Sequence, residues 1–387
     1  LLPHNKLPLL ALIFFLFLLL PLSSLFSCSR EPILIGFSGP LTGVYSHLGI
    51  QGRNGVTLAL EEINSQGGIA NRDLCLLFRD DKDSPKRARK VDRELIAKDV
   101  VAVIGHLTSS QSLAALPVFE EAGVVLLSPT ASTPILSRKK DMFFRVHPSS
   151  DKEALALSNF ARERLGHTRI HTVRDTENNA YTQPFTDHFI KGFREKREKV
   201  PQKCVFSSNK LKEWTGVVNC LQQGDPQGVM IAASARDTAA LCSFLKRQSW
   251  KPTVLASGWA AKRDLLLRGG DAVEGIYLAR SGFADKHAAS YQRFLQRYRE
   301  RFGRKPSFPA VQGYHAAMVL ARGLKKTGGK REGLPEALTQ VNDYPSYYGK
   351  LSLNQYGDVQ MPVHILRVQN GSLTVEAQIE PGAENGS

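Results

Sequence analysis

Cysteine is scarce in this chain, five in 387 residues, and no two of them are spaced C-x-x-C, which excludes a thiol–disulfide oxidoreductase. The catalytic spacings are missing as well. H-E-x-x-H does not occur, so His167 and His171, four residues apart, read as surface or core histidines rather than zinc ligands. "GFSG" at 36–39 lacks the G-x-S-x-G spacing of a nucleophile elbow. "YGK" and "GGK" lack both the P-loop's glycine spacing and the Ser or Thr that follows its lysine. "GFSGPLTG" does not match the G-x-G-x-x-G of a dinucleotide site. No carboxylate pair stands out as acid and base. These absences point to a protein that binds rather than one that turns over, with no cofactor and no metal expected.

Acidic side chains are also in deficit, 36 against 51 Lys and Arg, for a net charge of +15. No apolar run reaches the about 20 residues of a membrane span; the longest, 9–20, follows Lys6 and gives way to "PLSSLFSCSR". That arrangement predicts a signal peptide over 1–27. "LFSC" at 25–28 resembles a bacterial lipobox, apart from Phe26 where a small residue is usual, so Cys28 is the expected lipid-modified terminus and 28–32 its linker. The protein is then expected outside the cytoplasmic membrane, anchored to it, where nucleic acid is not a partner. The basic excess is better read as solubility or affinity for acidic headgroups. Export makes pairing of Cys75, Cys204, Cys220 and Cys242 chemically possible. Cys204 with Cys220 is the expected bridge, with buried free thiols as the alternative.

From Ile33 onward, short β-rich runs alternate with amphipathic stretches of helix length: "ILIGFSG", "GVTLALEEINSQGG", "LCLLFRDD", "PKRARKVDRELIAKD", "VVAVIGH", "SQSLAALPVFEEAG", "VVLLSPTA". This is the pattern of βαβ units around a parallel sheet. A break at "FFRVHPSSD" precedes a second run of the same kind, from "RIHTVRD" to "TVLASG". The fold class is therefore α/β, in two lobes. Lobe 1 is expected over 33–147 and lobe 2 over 148–279. A helical block over 280–349 is expected to return to one of them, followed by strand-like pieces over 350–378 and a disordered tail over 379–387.

Two hydroxyl clusters carry the site prediction. Thr108, Ser109 and Ser110 follow the strand "VVAVIGH", where Ser109 or Ser110 can cap the next helix and the helix dipole favours an anion. Thr130, Ser132 and Thr133 follow "VVLLSPTA", at the same carboxyl edge of the sheet, where ligands of open α/β sheets bind. By spacing alone these hydroxyls are better explained as caps and turn-formers.

Several stretches, in order, resemble the periplasmic leucine/isoleucine/valine-binding protein family of ABC transporters: "SGPLTG" (38–43), "LALEEINSQGGI" (58–69), "RDDKDSPKRA" (79–88), "VIGHLTSSQS" (103–112), "LLSPTASTP" (126–134), the segment 291–324 and the closing 349–371. The resemblance implies two Rossmann-like lobes with parallel central sheets joined by a three-crossing hinge, the type I periplasmic binding protein fold. It implies that 280–349 returns to lobe 1 and that 350–378 is a hinge crossing with lobe 2 end strands. It implies a monomer that closes over a small ligand and docks on ABC permease subunits. It assigns the ligand carboxylate to Ser109, with Thr108 and Ser110 beside it, and to Ser132, with Ala131 and Thr133. Tyr181 in "RDTENNAYTQPF" is the expected aromatic wall. The acidic residue that meets a ligand ammonium in amino-acid binders is replaced by Gly258 and Trp259 in "LASGWAAKRD", with no carboxylate before Asp264. An apolar acid, an amide or an aromatic ligand against Trp259 is the alternative to a branched-chain amino acid. Leu48 replaces a frequent tyrosine, and Tyr45 is the expected substitute. A sensory receptor reporting to a signalling partner is the alternative function.

Overall fold

The computed structural model describes residues 31–193, 202–282, 288–359 and 361–379. The expected signal peptide, Cys28 and residues 380–387 lie outside the described residues.

In the first lobe the chain runs β1 (Ile33–Gly39), α1 (Ser46–Ser65), β2 (Leu74–Asp80), α2 (Pro85–Ile96), β3 (Ala102–Ile104), α3 (Ser109–Ala122), β4 (Val125–Ser128) and β5 (Phe143–Arg145). The strands form one parallel sheet in the order β2-β1-β3-β4-β5. β1 and β3 are buried almost throughout because helices cover both faces of the sheet, which is why these runs are apolar without alternation. The order reverses between β1 and β3, and that reversal opens a crevice at the carboxyl edge. Helix boundaries follow their local chemistry: the Ser84 hydroxyl accepts the Arg87 amide with Pro85 in the first turn of α2, and α3 stops at Gly123 in the left-handed conformation.

The second lobe comprises α4 (Asp151–Asn159), β6 (Ile170–Asp175), α5 (Asn179–Phe193), β7 (Lys203–Phe206), α6 (Thr215–Gln222), β8 (Gly228–Ala232), α7 (Ala235–Lys246), β9 (Thr253–Ala256), α8 (Arg263–Gly269) and β10 (Tyr277–Ser281). Its parallel strands, β7-β6-β8-β9-β10, repeat the order of the first lobe. Cys204 on β7 and Cys220 on α6 form the expected disulfide. Cys242 is a buried thiol, its pKa pushed up to about 12 by desolvation, and Cys75 is an exposed one. His171 sits inside β6 with Nδ1 3.0 Å from the Leu221 carbonyl, a core histidine.

The chain then returns to lobe 1 as α9 (Ala289–Phe302), α10 (Phe308–Thr327) and α11 (Leu334–Thr339), followed by the hairpin β11 (Tyr344–Ser346) and β12 (Gly349–Leu351). What seats it there is the absence of side chains. A Cβ on Gly55 of α1 would lie 1.9 Å from the Ala310 carbonyl oxygen, and one on Gly313 of α10 2.3 Å from that of Gly52, so the two helices meet backbone to backbone. Finally β13 (Val363–Gln369) and β14 (Ser372–Ile379) add two antiparallel strands to the edge of the lobe 2 sheet. Ile379, expected in the tail, is the last residue of β14.

The chain thus crosses between lobes three times, and the last crossing is tied down by a buried ion pair. The guanidinium of Arg145, fully buried at the end of β5, lies 2.7 Å from the Asp358 carboxylate and also donates to the Thr133 carbonyl and the Ser137 hydroxyl. Removing one partner of such a pair strands a charge in low dielectric. Arg145→Ala is expected to cost about 3–5 kcal/mol of stability. A drop in the thermal midpoint no larger than that of an exposed arginine, such as Arg93→Ala, would contradict this.

Candidate functional site

Between the lobes lies a cavity lined by residues of both. Lobe 1 contributes Thr108 and Ser109, Thr130 and Ser132, which follow β3 and β4, with Leu48, Leu107, His147, Phe308 and Pro309 around them. Lobe 2 contributes Glu153, Asn178, Tyr181, Gly258, Trp259, Lys262 and Arg280. Tyr181 and Trp259 meet edge to face with ring centroids 5.7 Å apart, giving the lobe 2 wall an aromatic corner.

The hydroxyls can be sorted by where their hydrogens go. Thr108, not Ser109 or Ser110, occupies the N-cap position of α3, and its hydroxyl donates to the Gln111 side chain instead of capping. Thr130 donates to the Leu107 carbonyl at 2.6 Å. Ser109 Oγ accepts the amides of Ser132 and Thr133 at 3.3 and 3.2 Å, which leaves its own hydrogen to donate. The Ser132 hydroxyl has no partner among the described residues. Two hydroxyl donors, Ser109 and Ser132, therefore remain at the cavity wall, both beside the positive end of α3.

Four other expected residues do not line the cavity. Ser110 bridges the lobes: its hydroxyl donates to Asn178 Oδ1 at 3.2 Å and accepts the Ala180 amide at 3.4 Å. The Ala131 amide goes to Ser128 Oγ, and Thr133 uses its hydroxyl on the Ile135 amide. Tyr45 is buried behind the wall, its ring 5.9 Å from Trp259 and its hydroxyl 3.3 Å from both Asp175 and Ser208 of lobe 2. Leu48 of the same helix faces the cavity in its stead, because Tyr45 precedes α1 and points toward the facing lobe.

The strongest charges at the site are ones that sequence reasoning passed over. Glu153, in the first turn of α4, is 2% exposed; one carboxylate oxygen accepts the Ser281 amide at 2.6 Å. Burial raises its pKa to about 7, an effect that hydrogen bonds from Ser281 only partly offset. Its other oxygen lies 2.8 Å from where a Cβ of residue 258 would stand, so Gly258 is the vacancy that admits this carboxylate. An acid in the first turn of a helix ordinarily complements the dipole, and that ordinary role hid it in the sequence. Lys262 is held down to about 7 by burial and by the neighbouring Arg280 cation. His147 is neutral, lowered to about 3 by burial and by Arg280; its Nδ1 faces the Gln312 amide at 3.3 Å, which leaves Nε2–H as a donor. Among the described residues no cluster of His, Cys, Asp or Glu could hold a metal ion.

This two-lobed architecture has known counterparts. The profile described as periplasmic binding protein matches residues 32–372. The chain belongs to that family. Several of the chain's relatives are leucine/isoleucine/valine-binding proteins. It is similar to a leucine-, isoleucine-, valine-, threonine- and alanine-binding protein of Pseudomonas aeruginosa, 24% identical over 339 residues, 87% of this chain and 89% of that one. Its structure is similar to that of a leucine binding protein of Thermotoga maritima, with a TM-score of 0.82 at 24% identity over 90% of this chain and 99% of the other. A solute binding protein of an ABC transporter from R. palustris, in complex with benzoate, matches with a TM-score of 0.77 at 21% identity, over 90% of this chain and 97% of the other. The periplasmic binding protein family is one of solute-binding proteins and not of enzymes, and solute binding is the role of this chain.

Proposed function

We propose that this periplasmic binding protein is the exported receptor of an ABC importer, anchored through Cys28, and that it closes its lobes over a small α-amino acid or related acid. The observation that carries the reading is the pair of hydroxyl donors, Ser109 and Ser132, left at the N-terminus of α3 opposite the Glu153 carboxylate. Hydroxyls beside a helix N-terminus suit a ligand carboxylate, and Glu153 suits an ammonium on the other lobe. The acid missing next to Trp259 is thereby supplied from α4. A ligand engaging both lobes favours their contact, since its two ends are satisfied together only when the cleft is shut. Contacts across the cleft, Ser110 with Asn178 and Tyr45 with Asp175, fit such a closed form.

The reading is tested by a thermal-shift screen of residues 29–387 against amino acids, aliphatic and aromatic carboxylates and amides. A ligand at a hundred times its dissociation constant adds about 2.7 kcal/mol to the folded state. Ser132→Ala removes a hydroxyl that no other described residue uses, so the fold should stand while affinity for the ligand found falls by roughly 10- to 150-fold, the worth of one hydrogen bond to a charged group. Unchanged affinity would remove the carboxylate from this end of the cleft.

A further inference from the structure

The cleft holds more positive charge than a monocarboxylate ligand can answer. Lys262 and Arg280 both face the cavity, and among the described residues the only acid lining it is Glu153. Neither cation has a carboxylate within ion-pairing distance among the described residues. Asp264, the nearest acid to Lys262 on its own segment, is already paired with Arg268 at 2.9 Å. Arg280 instead spends one nitrogen on the Ala261 carbonyl at 3.2 Å and lies 4.6 Å over the ring of Phe308 from the other lobe. Burial first, and then repulsion from the neighbouring Arg280 cation, weaken the hold of Lys262 on its proton.

The same two side chains also line a second crevice between the lobes, of about 1,220 Å³ and open to solvent, to which Arg263 and Lys305 add further positive charge. Lys262, Arg280 and Phe308 are common to both spaces. They stand where the ligand cavity gives way to this crevice, so a ligand held at Ser109, Ser132 and Glu153 would extend its free end toward them.

We propose that Lys262 and Arg280 form an anion subsite for a second acidic group of the ligand, so that the solute class is the α-amino dicarboxylates rather than amino acids with apolar side chains. This rests on the cleft reading given above and narrows it. The charges then balance over the whole cleft: the ligand ammonium faces Glu153, one carboxylate meets the hydroxyls and the helix N-terminus, the other lies between the two cations, and the ligand's single net negative charge offsets the single net positive charge of Glu153, Lys262 and Arg280. Phe308 closes the back of the guanidinium, leaving its edge for the anion.

The experiment is titration calorimetry with a matched pair, L-2-aminoadipate and L-norleucine, which have the same carbon skeleton and differ in the terminal carboxylate. The expected result is a preference for aminoadipate of about tenfold or more, the scale of one charge-assisted hydrogen bond. Lys262→Met should bring the ratio close to one, and Lys262→Arg should restore it, which a merely structural role for the lysine would not do. Thermal midpoints identify any variant that fails to fold, and Arg280→Met serves as the second probe of the ratio. Norleucine binding as tightly as aminoadipate to the unaltered protein overturns the subsite, as does absence of aminoadipate binding at millimolar concentration. Ser132→Ala separates the two levels of the argument. If it weakens both ligands alike while their affinities are equal, the cleft reading survives and only the subsite fails; if it weakens neither, the cleft reading itself fails.

Discussion

Glu153→Gln should cost α-amino acids about 2–5 kcal/mol of binding, thirtyfold or more, while ammonium-free acids lose little. The substitution keeps the shape of the side chain and an oxygen for the Ser281 amide, and it removes only the charge opposite the hydroxyl pair. The companion change, Gly258→Ala, should produce a similar loss by a different route. Its Cβ would lie 2.6 Å from the Ala279 carbonyl oxygen and 2.8 Å from the Glu153 carboxylate. The carbonyl belongs to β10 and cannot rotate away, so the carboxylate must leave its position. Overpacking of this kind costs about 1–3 kcal/mol in stability besides. Calorimetry with an amino acid and its deaminated analogue checks both variants. Equal losses for the two compounds in Glu153→Gln would show that the carboxylate does not face an ammonium.

His106→Gln is expected to be the most destabilising single change in lobe 1. The imidazole is fully buried between β3 and α3, with Nδ1 2.7 Å from Asp81 and Nε2 2.9 Å from Asp92. Burial by itself would lower its pKa, but the Asp92 charge and the hydrogen bonds to Asp81 and Asp92 outweigh that and raise it to about 10. Replacing the imidazolium leaves two carboxylates facing each other out of water, at a cost of about 3–5 kcal/mol. The pH dependence follows from the direction of the shift. A histidine whose folded pKa lies above its unfolded value of about 6.5 contributes fully below that pH, and the contribution is lost as pH rises toward about 10. Denaturant melts of the two proteins should therefore differ most at pH 6 and converge toward pH 10; a gap that stays constant or widens with pH contradicts the charged triad. The triad also matters to the cleft. It joins the β2–α2 loop, α2 and the segment just before Thr108 and Ser109, so the mouth of α3 is held by a buried ionic clamp three residues before the Ser109 donor.

The chain's periodicity was enough to read two α/β lobes, because parallel strands covered on both faces are written as short continuous apolar runs between amphipathic helices. The order of the hydroxyl clusters was legible for the same reason: residues after β3 and β4 must emerge at one edge of the sheet. The proximity of Cys204 and Cys220 in sequence, one on a strand and one on the next helix, pointed to their bridge. Which hydroxyls remain free was not legible. Thr108 and Thr130 are as well placed in sequence as Ser109 and Ser132 and also line the cavity, and only their partners, Gln111 and the Leu107 carbonyl, take up the hydrogens they could give a ligand. Tyr45 fails in the same way, since its position before α1 says nothing of Asp175 and Ser208 on the other lobe.

By itself, then, the sequence determined the fold class, the two-lobed layout and the edge of the sheet where a ligand would sit, because these follow from local periodicity and strand direction. Only the tertiary structure decided the charge of the cleft. Glu153, Lys262 and Arg280 lie on three separate elements, α4, the segment before α8, and β10, and each looks like an ordinary helix-end or strand-end residue where it stands. They act together because the lobes fold them around one space, and Coulomb interactions depend on that distance in space and on burial, neither of which is written in their spacing along the chain.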